Sequence, residues 1–390
     1  MSDISSFAGN WNYPTKVRFG AGRIKELPRA CEALGIKRPL IVTDPGLAKL
    51  PMIAAAVESL KKSGLSPAVF SEVRSNPVGR NVDDGVAAYR NGNHDGVVAF
   101  GGGSALDAGK AVALMAGQTR PLWDFEDVGD NWKRVNEKGI APVVSVPTTS
   151  GTGSEVGRAS VIVDESSHVK KIIFHPGMMP GQAILDPELT VGLPPSITAA
   201  TGMDAFAHCL EAYCAPGFHP LADGIALEGM RLVREYLSRA VRDGHDRTAR
   251  AHMMAAAAMG ATAFQKGLGA IHSLSHPVGA VYNSHHGLTN AVFMPYVLAF
   301  NRPAIEERIA AVARYVNLPN PTFDGFLAWV LELRRELKIP HTCRELGVEE
   351  SRLDELSRMA ANDPTAGGNP VPLDAAKLKG LFQAALAGTV

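Results

Sequence analysis

The hydrophobic pattern of the first half of the chain alternates short β-branched runs with longer stretches of helical periodicity. Buried strands are predicted at residues 39–44, 66–73 and 95–100, and helices at 48–63 and 82–91. An alternation of this kind is typical of a parallel sheet that is covered by helices on both faces. We therefore predict an α/β unit with a nucleotide-binding layout.

The pattern changes after Leu193. Before this point further strands are predicted at residues 141–147, 160–164 and 182–186. Beyond it, apolar residues recur at spacings of three and four, as in 222–241 and 252–267, which predicts helices. A chain of 390 residues is long enough for two domains. We place the α/β domain at 1–193 and an all-helical domain at 194–390.

Charge and cysteine content narrow the classes of partner. Basic and acidic residues each number 39, so neither a nucleic-acid surface nor an attraction to anionic membranes is indicated. The four cysteines are scattered without a CxxC pair, which fits reduced thiols. The first fourteen residues lack the features of a secretory signal, and no run of eighteen apolar residues occurs. We expect a soluble, cytoplasmic protein with a small-molecule partner.

Three glycines, Gly101 to Gly103, lie where a predicted strand gives way to a helix. Glycine lets the backbone approach a pyrophosphate, Ser104 adds a hydroxyl, and the helix dipole favours an anion. Such a turn can also serve tight packing alone. Asp44 ends an earlier strand, where an acid binds the ribose of NAD and would repel the 2′-phosphate of NADP. The pattern therefore favours NAD.

A second polar loop, TTSGTGSEV at 148–156, follows the strand at 141–147. Its hydroxyl side chains are interleaved with Gly151 and Gly153. The loop either closes over the phosphates or the nicotinamide of the cofactor, or it is a plain turn of serine, threonine and glycine.

Polar residues spaced four apart mark two predicted helices that are otherwise apolar. These pairs are Asp204 with His208, and His272 with His276. Residues at i and i+4 share one helix face, and His285 and His286 follow a turn that can bring the chain back. A lone buried histidine is more often bonded to a carbonyl, but several such groups together indicate a compensating cation. One carboxylate and three imidazoles would complete a metal site.

Five motifs, in this order, resemble the iron-containing (group III) alcohol dehydrogenase family: GGGSALDAGK, PTTSGTGSE, DPELT, GMDAFAHCLEAY and HSLSHPVGAVYNSHHG. The resemblance covers nearly the whole chain. It implies an N-terminal dinucleotide-binding, Rossmann-like domain and an all-helical C-terminal domain, an architecture that is similar to dehydroquinate synthase. It also implies a metal-dependent, NAD(H)-linked oxidoreductase that interconverts a primary alcohol and its aldehyde by hydride transfer.

The resemblance also implies roles for individual residues. Its metal ligands would be Asp204, His208, His272 and His286. Many relatives have a proline where this chain has His285, and the fourteen-residue interval from His272 favours His286 over this neighbour. His276 would lie beside the nicotinamide as a catalytic residue that relays the proton. The implied cofactor contacts are Asp44, Asn76, Gly102, Gly103, Ser104, Asp107, Thr148, Thr149 and Phe264, with either Lys170 or Lys171 as a further one.

The metal and the substrate are less closely defined. Three imidazoles and a carboxylate without a thiolate suit Fe(II), and also Zn(II) or Ni(II). Two segments of the second domain are similar to the branch that includes 4-hydroxybutyrate dehydrogenase, so we expect a linear C2 to C5 aldehyde or ω-semialdehyde, with a neutral short-chain alcohol as the equal competitor. Arg158, Lys266 and His285 are candidates for binding a substrate carboxylate. A related enzyme acting on a polyol or glycerol-type substrate, or a non-catalytic protein, is the alternative. We expect a homodimer or a higher homo-oligomer.

Overall fold

The computed structural model describes residues 9–11, 15–167 and 169–390. Most of the N-terminal segment interpreted above, residues 1–8 and 12–14, lies outside the described residues. The chain divides into two compact units. The first unit comprises Met1–Thr149 and Gly153–Val191, and the second comprises Ser150–Thr152 and Gly192–Val390.

The first unit is built on a mainly parallel sheet. Its described strands are β1 (Gly9–Trp11), β2 (Val17–Phe19), β3 (Pro39–Val42), β4 (Ala68–Phe70), β5 (Gly96–Gly101), β6 (Val143–Pro147), β7 (Ala159–Asp164), β8 (Val169–Phe174) and β9 (Gln182–Leu185). The main sheet has the order β1-β2-β9-β6-β5-β3-β4, in which β1 is antiparallel to β2 and the described pairs beyond it are parallel. The strand predicted at 160–164 lies outside this sheet, because β7 pairs with β8 as a separate antiparallel hairpin.

Alternate residues of the central strands face two different apolar cores. Ile41 and Val98 belong to one core, which also holds Leu60 from the following helix. Leu40 and Val97 belong to the other. Successive side chains of a strand point to opposite faces, so a sheet covered on both faces requires strands that are apolar throughout. This explains the continuous hydrophobic runs in the sequence.

The helices of the first unit connect these strands. They are α1 (Leu27–Glu32), α2 (Pro51–Lys62), α3 (Gly79–Asn91) and α4 (Gly103–Met115). The helix predicted at 48–63 begins later than expected, because a short 3₁₀ helix (Leu47–Lys49) precedes α2. Proline fixes φ and lacks an N–H, which favours Pro51 as the first helical residue. The last of the four, α4, follows β5 almost directly.

The second unit is helical, and no strand occurs among its described residues. Its α-helices are α5 (Pro195–Cys214), α6 (Pro220–Arg242), α7 (Arg247–Ala263), α8 (Ala270–Tyr282), α9 (His286–Tyr315), α10 (Phe323–Glu336), α11 (Leu353–Ala361) and α12 (Ala375–Ala387). The predicted fold class, an α/β Rossmann-like part followed by an all-helical part, is confirmed. Within the described ranges, none of the helices combines the length and the apolar character that spanning a membrane requires.

Helix α5 forms the centre of the second unit. Every residue from Thr198 to Cys214 is buried, and α6, α7 and α9 pack against it. Glycines allow this close packing. A Cβ atom at Gly287 would lie 2.3 Å from the carbonyl oxygen of Ala200, and one at Gly202 would lie 2.2 Å from the side chain of Leu237. The first turn of α9 can therefore lie directly against the backbone of α5.

Candidate functional site

The buried helix α5 carries two ionisable side chains one turn apart, Asp204 and His208. Both are almost completely shielded from solvent. Burial lowers the pKa of His208 to about 4, although the nearby Asp204 carboxylate opposes this shift. The imidazole is therefore neutral near pH 7 and keeps a lone pair for a ligand.

Helices α8 and α9 bring further histidines to this face of α5. His272 lies in the first turn of α8, and its ring stacks on that of His208 with the centroids 4.8 Å apart. His286 is the first residue of α9, and its Nε2 lies 3.5 Å from Oδ1 of Asp204. One ligand atom from each of these four residues lies within 4.8 Å of the other three. The structure thus brings together the four residues that the sequence proposes as metal ligands.

The adjacent His285 takes a different position. Its Nδ1 accepts a hydrogen bond of 3.4 Å from the backbone N–H of Leu288, so it caps the N-terminus of α9. The residue is exposed. Of the two neighbouring histidines, the one that joins the cluster is therefore His286.

Asn290, one turn after His286 on α9, was missed by the sequence analysis. Its Nδ2 donates to Oδ1 of Asp204 at 2.7 Å and lies 3.2 Å from Nε2 of both His272 and His286. Its own Oδ1 has no hydrogen-bond partner among the described residues. The spacing of four from His286 was the available signal, but a single asparagine in an apolar helix has many possible roles.

The donor set of this cluster fits a divalent cation. In a largely buried space, Oδ1 of Asp204 lies 3.9 Å from Nε2 of His208 and 3.5 Å from Nε2 of His286. Nε2 of His272 lies 3.2 Å from Nδ2 of Asn290, which binds the same carboxylate oxygen. Among the described residues, the NH₂ group of Asn290 is the hydrogen-bond donor that lies close to Asp204, His272 and His286. Four converging electron-pair donors exceed what one amide can satisfy, and a cation would balance them. Nitrogen and oxygen ligands without a thiolate suit Fe(II) and Zn(II).

Two buried carboxylates, also missed by the sequence analysis, lie behind the histidines of α8. Oε2 of Glu211 accepts from Nδ1 of His272 at 2.5 Å, and Oδ2 of Asp363 accepts from Nδ1 of His276 at 2.7 Å. Burial, the largest single effect, opposes the charged form of His272, but the carboxylates of Glu211, Asp204 and Asp363 together outweigh it and raise the pKa of His272. Glu211 follows His208 by three residues on α5, and this spacing was the available sequence signal for it. Asp363 is 87 residues from His276, and no sequence pattern connects them.

Phe264 lies at the edge of the cluster, with its ring centroid 5.1 Å from that of His208.

The side chain of Lys266, two residues after Phe264, is already paired. It is only 2% exposed and its Nζ lies 2.5 Å from Oδ1 of Asp223, which Arg308 also contacts at 3.2 Å. The prediction that Lys266 offers its charge to a substrate carboxylate is therefore not supported, because Asp223 already neutralises the ammonium group.

In the first unit, the glycine turn between β5 and α4 places several predicted cofactor residues together. Gly101 has φ of +153°, and a Cβ there would lie 2.7 Å from Cβ of Ala105 and 3.8 Å from Oδ2 of Asp44. The backbone N–H of Thr148 donates to the carbonyl of Gly101 at 3.0 Å. A Cβ at Gly102 would lie 3.4 Å from Cγ2 of Thr149.

The N-terminus of α4 lacks a side-chain cap, so its first backbone N–H groups are candidates for binding an anion. The N-cap residue, Gly102, makes no side-chain capping hydrogen bond, and α4 begins with Gly103 and Ser104. Asp44 is anchored beside this turn, because its Oδ1 accepts from the backbone N–H groups of Gly46 and Leu47 at 2.9 Å and 2.8 Å. The turn therefore presents backbone donors near a fixed carboxylate.

The carboxylate of Asp107 is bound by other residues of the first unit. It accepts from Ser154 Oγ at 2.5 Å and from the backbone N–H of Val161 at 2.9 Å, and Lys110 lies 3.4 Å away. Lys110 is fully buried, and burial raises the pKa of the equally buried Glu155 to about 7. These groups tie α4 to the segment that follows the polar loop. The structure thus gives Asp107, a predicted cofactor contact, a role in holding the loop.

The remaining predicted cofactor residues are less closely associated with the turn. Asn76 has a left-handed conformation, with φ of +53°, just before the segment that pairs with β7. Lys170 and Lys171 are consecutive in β8 and point to opposite faces. Lys171 contacts Asp164 at 3.0 Å and Glu126 at 3.5 Å.

Comparisons with known proteins cover both units. The model "Iron-containing alcohol dehydrogenase" matches residues 14–187, and "Fe-containing alcohol dehydrogenase family, C-terminal" matches 198–386. The chain is 41% identical to 4-hydroxybutyrate dehydrogenase of Cupriavidus necator, covering 95% of this chain and 98% of that protein. It is 37% identical to NAD-dependent methanol dehydrogenase of Bacillus methanolicus, covering 93% and 95%.

A solved structure extends this similarity to three dimensions. The crystal structure of 1,3-propanediol oxidoreductase superposes with a TM-score of 0.90 at 33% identity, and the match covers 95% of this chain and 97% of that one. The family models and these relatives span nearly the whole chain, which confirms the resemblance drawn from the five motifs. The chain belongs to the iron-containing alcohol dehydrogenase family.

Proposed function

We propose that the protein is a metal-dependent, NAD(H)-linked oxidoreductase that interconverts a primary alcohol and its aldehyde by hydride transfer. The observation that carries the proposal is the convergence of Asp204 and three histidines in a buried part of the second unit. Family membership supports the reaction class. The Bacillus methanolicus relative is named as NAD-dependent, which supports the choice of cofactor.

Asp204, His208, His272 and His286 would hold the divalent ion, for which we propose Fe(II), with Zn(II) as the alternative. When bound, the ion would supply a Lewis acid for the substrate oxygen, and the nicotinamide would supply the hydride acceptor. Burial keeps the imidazole of His208 in the neutral form that binds a metal. Burial lowers the pKa of His208 to about 4, so its lone pair is available over the physiological pH range.

His276 is the proposed proton acceptor. Oδ2 of Asp363 accepts from its Nδ1, so the neutral imidazole keeps a lone pair on Nε2. Its ring stacks on that of His286 with the centroids 5.4 Å apart, which places it beside the proposed ligands without being one of them. Nε2 of His276 would accept the proton of the alcohol during oxidation and return it during aldehyde reduction.

The first unit would bind NAD(H) at the turn between β5 and α4. The N–H groups at the start of α4 and the hydroxyl of Ser104 would bind the pyrophosphate. Thr148 and Thr149 line the same turn. Asp44 would bind the ribose, and its charge disfavours the 2′-phosphate of NADP.

The proposed substrate is a linear C2 to C5 aldehyde or ω-semialdehyde, with a neutral short-chain alcohol as the equal competitor. The 41% identity to a 4-hydroxybutyrate dehydrogenase supports a substrate with a carboxylate. With Lys266 paired to Asp223, the exposed residues Arg158 and His285 remain as candidates for binding it. A polyol or glycerol-type substrate is the second possibility. We also propose a cytoplasmic homo-oligomer, and the four cysteines, which are all buried and free, fit a reducing compartment.

Replacement of one proposed metal-binding residue should lower the metal content of the purified protein. We expect Asp204→Ala, His208→Ala, His272→Ala and His286→Ala each to reduce metal per chain, measured by inductively coupled plasma mass spectrometry, and to reduce turnover with it. A chelator should abolish wild-type activity. His285→Ala is the matched control for His286→Ala, because the neighbouring residue lies outside the cluster, and its metal content should equal that of wild type. Full metal occupancy and normal turnover in these four variants would contradict the assignment of the replaced residues as metal ligands.

Replacement of His276 should separate proton transfer from metal binding. We expect His276→Ala to lower kcat by about 10²-fold or more, since general acid–base catalysis contributes roughly 10² to 10⁴. Metal content should stay normal. Asp363→Asn should lower kcat less, because it disturbs the orientation of the ring without removing it. His245→Ala, on an exposed turn, serves as the control. A loss of metal in His276→Ala would show that this residue is a ligand, contrary to the assignment.

Removal of the Asp44 charge should narrow the preference for NAD(H) over NADP(H). Asp44→Asn can still accept from Gly46 and Leu47, so it tests the charge alone, whereas Asp44→Gly also removes the anchor. We expect kcat/KM with NADPH to rise relative to NADH in both variants, because a like charge no longer faces the 2′-phosphate. A wild-type enzyme that reduces aldehydes faster with NADPH at equal concentration contradicts the role of Asp44.

A substrate panel should decide between an acid and a neutral alcohol. We expect succinic semialdehyde to exceed butanal in kcat/KM. Loss of one charge-assisted contact in Arg158→Ala or His285→Ala should reduce this preference by about ten- to a hundredfold, corresponding to about 1.5–3 kcal/mol. Lys266→Ala should lower activity on both substrates alike, because it disrupts a buried ion pair. Equal turnover of butanal and succinic semialdehyde would exclude a preference for substrates that carry a carboxylate.

A further inference from the structure

Glu211 contacts the proposed metal site without belonging to it. It lies on α5, three residues after His208, and its side chain is 6% exposed. The two carboxylate oxygens have different partners. Oε2 accepts from Nδ1 of His272 at 2.5 Å, and Oε1 accepts from the backbone N–H of Ile271 at 2.6 Å. One buried carboxylate thus binds both the side chain of a proposed ligand and the backbone beside it.

The contact with Ile271 lies at the N-terminus of α8. The first backbone N–H groups of a helix have no partner within the helix, and Gly269 has no side chain to cap them. Glu211 and Asn369 take this role, since Oδ1 of Asn369 accepts from the N–H of Ala270 at 3.1 Å. A Cβ at Gly269 would lie 3.2 Å from Oε1 of Glu211 and 2.8 Å from Oδ1 of Asn369. The glycine therefore leaves space for both acceptors to reach the helix end.

The contact with His272 determines which ring nitrogen carries the proton. An ionised carboxylate can only accept, so the proton on the neutral imidazole lies on Nδ1. Nε2 then keeps its lone pair and faces the cluster, where Nδ2 of Asn290 lies 3.2 Å away. A hydrogen bond of this kind fixes both the orientation and the tautomer of a metal-binding histidine.

We infer that Glu211 is a positioning residue for His272, which it holds in the metal-binding tautomer while it caps the helix that carries it. This inference rests on the proposed metal site. It extends that site by a residue that lies on the same helix as Asp204 and His208. The three together make α5 the common support of the cluster.

An amide cannot replace this carboxylate at both contacts. If the oxygen of a glutamine at this position accepts from Ile271, its NH₂ group faces Nδ1 of His272 and favours the tautomer with the proton on Nε2. If the amide is turned over, its NH₂ group faces the N–H of Ile271, and two donors oppose each other. Glu211→Gln is therefore nearly isosteric and loses one of the two functions in either orientation.

The test is a double-mutant cycle on metal affinity. Glu211→Gln should weaken metal binding by about 10- to 100-fold, measured by competition with a chromophoric chelator, as expected for loss of the partner of a ligating histidine. In the His272→Ala background the same exchange should have no further effect, because Glu211 acts through His272. Glu228→Gln, an exchange of the same type on α6, is the control and should leave metal affinity unchanged.

Folding is checked on the metal-free proteins by far-ultraviolet circular dichroism and thermal unfolding. If Glu211→Gln does not fold, Glu211→Asp, which retains a carboxylate, enters the same cycle and should lose less affinity. Unchanged affinity in the folded single variant overturns the inference. So does an equal loss in the presence and absence of His272, which would indicate a purely structural role. A wild-type protein that binds no metal would instead refute the proposed function.

Discussion

The cost of burying ionisable groups on α5 is the constraint on which the second unit depends. Asp204, His208 and Glu211 lie within a stretch of this helix that is shielded from solvent throughout. Transfer of such groups from water is unfavourable unless hydrogen bonds, opposite charges or a cation compensate for it. The partners come from α8 and α9, which supply His272 and Asn290. The position of these helices is therefore closely linked to the polar groups of α5.

Helix packing makes these contacts possible. A Cβ at Gly287 would lie 2.9 Å from Cβ of Asp204, and one at Gly260 would lie 3.0 Å from Cβ of His208. Any larger residue at these two positions would separate α9 or α7 from α5. Because the ligand atoms lie within 4.8 Å of one another, a shift of α5 or α9 by about an ångström would alter the distances between its ligand atoms and those on the other helices. Glycine at these positions is thus a requirement of the site as well as of the core.

Local patterns allowed much of this arrangement to be predicted. The spacing of four placed Asp204 with His208, and the alternation of β-branched runs located the parallel sheet. The sequence did not reveal partners that are distant along the chain, such as Asp363 for His276, because tertiary contacts of single polar residues leave no periodic signal. β8 escaped prediction because two lysines interrupt its apolar character.

The two units position the groups that would bind their proposed ligands by different physical means. In the first, the groups are mainly backbone N–H donors, which a glycine turn and the start of α4 present in a fixed geometry. In the second, they are side chains whose orientation depends on further buried partners, such as Glu211 behind His272. A metal ion held by the four-residue cluster would need only an oxygen atom of the substrate, so the proposed site is compatible with relatives named for methanol and for 4-hydroxybutyrate. Because Asp223 already binds Lys266, we propose that discrimination between such substrates comes from residues outside both the cluster and this ion pair.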